Sequence, residues 1–145
     1  MISKFVGYGV DLSGMKFKNL KEFVKKYTPD VWEVIQEDLK EGKLPLSDNN
    51  ILDWLNDYER EGYYGLSAYL SGVINEQENI ELSAYDSVLN GYLYIYPNYP
   101  WRFSEIMRSL TTESLNALFR KYISQITDDL IIIDYLTMYY DDIDD

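Results

Sequence analysis

At Asn79 the spacing of apolar residues switches from a helical repeat to strict alternation, and no single class of secondary structure satisfies both sides of that switch. Upstream, Leu20, Phe23, Val24 and Tyr27 fall at i, i+3, i+4 and i+7, with Lys18, Lys21, Lys25 and Lys26 on the outer face. Those lysines read as a solvated helix face, since acids in the next helix cancel much of their field. Thr28-Pro29-Asp30 supplies an N-cap, a proline at the first helical position and an acid in the first turn. A second helix therefore runs to about Gly42 with Trp32, Ile35 and Leu39 inward. Ser47 and Asp48 open a third helix, whose Ile51, Trp54, Leu55 and Tyr58 repeat the same spacing before Gly62 ends it. Leu66, Tyr69, Leu70, Val73 and Ile74 mark a fourth, although Gly65 and Gly72 each lower its propensity by roughly 1 kcal/mol.

Beyond the switch, Ile80, Leu82 and Ala84 alternate with Glu81, Ser83 and Tyr85, and Gly91 to Tyr96 is a second β-rich run. The two are joined across Asp86 to Asn90 as a hairpin, which Pro97 and Pro100 terminate. A further strand lies at the start, Lys4 to Val10, where Gly7 and Gly9 mark a bulge or close packing in preference to a dinucleotide fingerprint. Phe103, Ile106, Met107 and Leu110 give another helical stripe. Thr111 or Thr112 caps a last clear helix with Leu115, Leu118, Phe119, Tyr122, Ile123 and Ile126 buried. Over Leu130 to Tyr140 the Ile131-Ile132-Ile133 run favours a strand, although Thr127-Asp128-Asp129 would also suit a helix start. The expectation is one α+β domain over residues 1–145. It has a small, mainly antiparallel sheet of N-terminal strand, central hairpin and C-terminal strand, packed with five or six helices, and a short acidic tail at 141–145.

The chain contains neither His nor Cys, so the commonest metal ligand, the usual proton shuttle and the thiolate are all missing. That excludes triad hydrolases, papain-like enzymes, zincins and zinc deaminases, and no metal or cofactor is expected. Carboxylates are plentiful, so a carboxylate-dependent hydrolase stays open as an alternative, but nothing in the spacing places two of them in one cleft. No run is long and apolar enough for a membrane helix, and the opening Met-Ile-Ser-Lys lacks a signal peptide's apolar stretch, which points to the cytoplasm.

Charge and aromatic content then carry the functional reading. The net charge is −12, with nine basic against eleven acidic residues over 1–60 and four against fourteen over 61–145. Such a polyanion is repelled by nucleic acid and anionic membrane and is attracted to a basic protein surface. Carboxylates two apart on a strand, or three to four apart on a helix, lie roughly 5 to 7 Å from one another, close to the spacing of strand phosphates. The candidate partner-binding acids are Glu76, Glu78, Glu81, Asp128, Asp129, Asp141, Asp142, Asp144 and Asp145. In being small, acidic, Tyr-rich and free of Cys and His, the chain resembles in composition phage-encoded inhibitors of bacterial defence nucleases. That resemblance implies a non-enzymatic DNA mimic of anti-CRISPR or anti-restriction style, which competes with nucleic acid for a nuclease or other DNA-binding protein. The alternative is a structural or immunity-type adaptor that uses a Tyr/Trp surface. Tyr94 and Tyr96 share one sheet face with Tyr92 and lead into Tyr99 and Trp101, the residue types that dominate protein-binding hot spots.

Overall fold

The computed structural model describes residues 2–11, 17–43, 48–60, 63–86, 92–97, 112–127 and 130–139. Its framework is a four-stranded antiparallel sheet. Ile2–Asp11 (β1) pairs on one side with Tyr92–Pro97 (β5) and on the other with Leu130–Tyr139 (β6), while Leu82–Asp86 (β4) pairs with β5 at the edge. Ala84 sits opposite Ile95, and both are buried, as is Leu82 opposite Pro97. Helices Leu66–Glu78 (α4) and Thr112–Ile123 (α5) lie on the sheet, α4 over β4 and β5, α5 over β1 and β6. Phe17–Tyr27 (α1), Pro29–Glu41 (α2) and Asp48–Asn56 (α3) pack on one another, and α3 joins them to α4. One core runs through the five helices, β4 and β5, from Leu20 and Phe23 through Leu55, Tyr69 and Ile74 to Ile95, Phe119 and Ile126.

Two local devices connect helices to strands. Gly65 precedes α4 at φ 103 and ψ −179, a conformation in which only glycine is unstrained. Its N–H donates to Tyr58 O at 2.8 Å and its carbonyl accepts from Tyr69 N at 3.2 Å. At the other end, Asn79 adopts the left-handed conformation that ends the helix, and Asn75 bridges to the sheet. The Asn75 side chain donates from Nδ2 to Leu82 O at 3.0 Å and accepts from Leu82 N at 2.7 Å. It thus gives the first residue of β4 the two bonds a neighbouring strand would supply.

The fold expected from sequence needs correcting in several respects. The sheet is not a small adjunct, because β1 and β6 each span ten residues and β1 is one of its two interior strands. The third helix stops at Asn56, and Glu59–Arg60 (β2) pairs with Tyr63–Tyr64 (β3) in a second, two-stranded sheet where helix had been expected to run to Gly62. Asn56 and Asp57 favour a turn over continued helix, and Asp57 N and Tyr58 N close it onto Trp54 O and Leu55 O. Thr28 does not cap α2 with its hydroxyl. Its Oγ1 donates back to Val24 O at 3.0 Å and pairs with Tyr69 OH at 2.6 Å, a local alternative open to any helix-terminal threonine. Trp32 is only half-buried, with Lys25 and Lys21 Nζ at 4.9 and 5.9 Å from its ring centroid. The lysine face is therefore partly laid over aromatic rings as well as solvated. Along β1 the register shifts between Phe5 and Gly7, the irregularity anticipated from the glycines. The helical stripe at 103–110 lies outside the described residues.

Candidate functional site

Tyr69, Gly72, Val73 and Glu76 fall at i, i+3, i+4 and i+7 on α4, so they share one face of that helix. Gly72, midway along that face, carries no side chain, and a depression of about 130 Å³ opens there between Thr28, Tyr58, Tyr69, Gly72, Val73 and Glu76. Across Tyr58 lies a wider cleft of about 420 Å³, whose described walls are Trp54, Asp57, Tyr58 and Glu59. Tyr58 belongs to both. It is placed by the turn after α3 and held by the Gly65 N–H on its carbonyl.

The aromatic walls are fixed by their neighbours. Tyr58 meets Tyr69 edge-on with centroids 5.4 Å apart, and Trp54 lies 6.3 Å from Tyr58 at 49°. Trp54 Nε1 donates to Asp38 Oδ2 at 2.8 Å, which orients the indole. The line of rings continues inward from Tyr69 through Phe23 and Tyr27 to Tyr122. Burial raises the Tyr69 phenol well above its ordinary pKa, against the opposing hydrogen bond with Thr28, so this hydroxyl stays protonated. The rim, in contrast, is anionic. Asp57, Glu59 and Glu76 are exposed, and no Lys or Arg is among the described lining residues.

Glu78, two residues beyond Glu76, faces a different neighbour. Its Oε1 accepts from Tyr122 OH at 2.7 Å and from Lys121 Nζ at 2.9 Å. The Tyr122 hydrogen bond, followed by that of Lys121, lowers the carboxyl below its ordinary value. Burial, and then the bond to Glu78, raise the Tyr122 phenol. This arrangement ties α4 to α5 and opposes what a general acid requires, which is a raised carboxyl. Among the described residues no cluster of acids could hold a metal ion.

The remaining sequence candidates divide. Glu81 is exposed just before β4 and has an interaction partner. Glu76 and Glu78 do not form an array with each other, since residues two apart on a helix point in different directions. Tyr94 and Tyr96 lie in β5, opposite Tyr85 and Ser83. By strand alternation these positions fall on the face away from buried Ile95, although Ser83 is itself buried. The side chains of Tyr94 and Tyr96 lie outside the described residues, as do Tyr99, Trp101, Asp128, Asp129, Asp141, Asp142, Asp144 and Asp145.

A second acidic feature escaped the sequence reading. Asp30, Glu33, Glu37 and Glu41, at i, i+3, i+7 and i+11, make a continuous exposed ridge along α2, with Asp38 beside it. The ridge and Glu76 come from helices whose inner faces are core, whereas Asp57 lies in the turn after α3 and Glu59 in β2. The ridge's signal was the helical spacing of the acids themselves, hidden when charge is weighed by halves of the chain. No protein-family model matches the chain, and no curated protein or solved structure does.

Proposed function

We propose that this is a non-enzymatic binding protein that presents carboxylates to a basic protein surface and competes there with nucleic acid, as an inhibitor of a nuclease or other DNA-binding protein. The observation that carries the reading is the α2 ridge. Four acids project at helical intervals of roughly 5 to 6 Å from a helix whose opposite side, Ile35 and Leu39, is buried. Every carboxylate whose side chain is described, Glu78 apart, is exposed; Glu22 pairs with Lys25 and Glu78 with Lys121. A rigid polyanion releases counterions from a basic groove much as DNA does. Among the described residues no helix is long and apolar enough to cross a membrane.

The test is displacement of a labelled DNA duplex from a panel of nucleases and repressors. Displacement by the pure protein should weaken by about tenfold or more between about 0.05 M and 0.2 M salt. It should weaken again when Glu33→Lys and Glu37→Lys break the ridge. Competition indifferent to salt, or none with any member of the panel, removes the proposal.

A further inference from the structure

We infer that the cleft around Tyr58 receives an arginine side chain of the protein partner, with the guanidinium against the Tyr58 and Trp54 rings and its N–H groups directed to Asp57, Glu59 and Glu76. The inference rests on the reading of the protein as an acidic binder and names the residue that its partner inserts.

Three features of the cleft select this occupant. The walls are aromatic and already oriented, Trp54 by its bond to Asp38 and Tyr58 by its edge contact with Tyr69. A planar guanidinium stacks on such rings and is less strongly hydrated than an ammonium, so it enters a partly apolar depression at lower cost. The rim carries exposed carboxylates, and among the described lining residues there is no Lys or Arg, so its charge is complementary to a cationic side chain. Asp57 and Glu59 flank Tyr58 in the wider cleft and Glu76 borders the smaller depression on its other side, and a guanidinium offers a fork of several donors to such divided acids where an ammonium offers a point charge. No acid of the α2 ridge is among the described lining residues of either depression. The ridge supplies long-range attraction, while the cleft supplies a specific anchor.

The probe is the capped tripeptide acetyl-Gly-Arg-Gly-amide, compared with the same peptide carrying citrulline, which keeps the shape and removes the charge. Titration of the full chain is followed by the Trp54 indole N–H resonance, assigned with Trp54→Phe. Saturable shifts centred on Trp54, Tyr58 and Gly72 with the arginine peptide, at least about fivefold tighter than with citrulline, are expected. Asp57→Asn with Glu59→Gln and Glu76→Gln, all at exposed positions, should weaken binding by about fivefold or more. An equal neutralisation of the ridge, Asp30→Asn with Glu33→Gln and Glu37→Gln, should change it by less than about twofold. Gly72→Leu keeps every rim acid, adds helix propensity and fills the smaller depression, so it should also reduce binding. Shifts spread over the surface without saturation, equal affinity for citrulline, or equal loss from the two neutralised sets would overturn the inference. The same variants in the DNA-displacement assay separate it from the broader reading. Displacement that survives the cleft substitutions leaves an acidic binder without this anchor, whereas arginine binding without displacement keeps the anchor and removes the nucleic-acid competition.

Discussion

Glu78 shows how one carboxylate can be structural in a protein whose other described acids face solvent. Held below its ordinary pKa by Tyr122 and Lys121, it stabilises the folded state in its ionised form. The sign follows from that direction. A depressed folded pKa contributes stability that is complete above the unfolded glutamate value of about 4.3 and is lost as pH falls through the lowered folded value. Glu78→Gln should therefore cost about 1 kcal/mol at neutral pH in urea denaturation, with the gap from the parent closing as pH falls below about 4.3. A gap independent of pH would mean that the ionised carboxylate is not what joins α4 to α5. This residue was a sequence candidate for partner binding. Its tie to Lys121 and Tyr122, some forty positions downstream, could not be read locally, because only the packing of α4 beside α5 brings the three together.

At the scale of elements, the junction of α4 with β4 is the joint on which the helical and sheet layers depend. Asn75 completes the backbone of Leu82 from within the helix, so Asn75→Ala removes two hydrogen bonds and leaves strand groups unpaired in a part-buried site. A loss of about 1 to 3 kcal/mol is expected, with faster amide exchange at Leu82 than at Ile95, which lies in the interior of the sheet. Unchanged exchange at Leu82 would show that the side-chain bonds are dispensable. The helical stripes and the β4–β5 hairpin were legible because their signals are local, as in Leu66, Tyr69, Leu70, Val73 and Ile74 or Ile80, Leu82 and Ala84. The β2–β3 pair was not, since two-residue strands are too short to show alternation, and Tyr58 continues the apolar repeat of α3 past the turn that ends the helix.

For the whole molecule, the dominant quantity is a net charge of −12 on 145 residues. Mutual repulsion of so many exposed carboxylates opposes the compact state, and salt relieves it by shortening the Debye length from about 30 Å at 0.01 M to about 8 Å at 0.15 M. The melting temperature should therefore rise by a few degrees over that range, and a flat or falling response would show the charges to be locally compensated. The same field underlies the proposed encounter with a basic partner, so stability and association should respond to salt in opposite directions.

Sequence alone marked α1, α2, α4 and α5, the alternation of β4 and the exclusion of His and Cys chemistry, because these follow from residue identity and spacing along one element, whereas the end of α3 and the half-burial of Trp32 departed from it. Tertiary structure decided which strands pair, that β1 joins β5 and β6 across most of the chain, and that Tyr58 stands between a cleft with Trp54, Asp57 and Glu59 and a depression with Tyr69 and Glu76. Strand order and clefts arise from contacts between residues far apart in the chain, and their closure is set by the packing of whole faces against one another, for which no single segment carries a periodic signal.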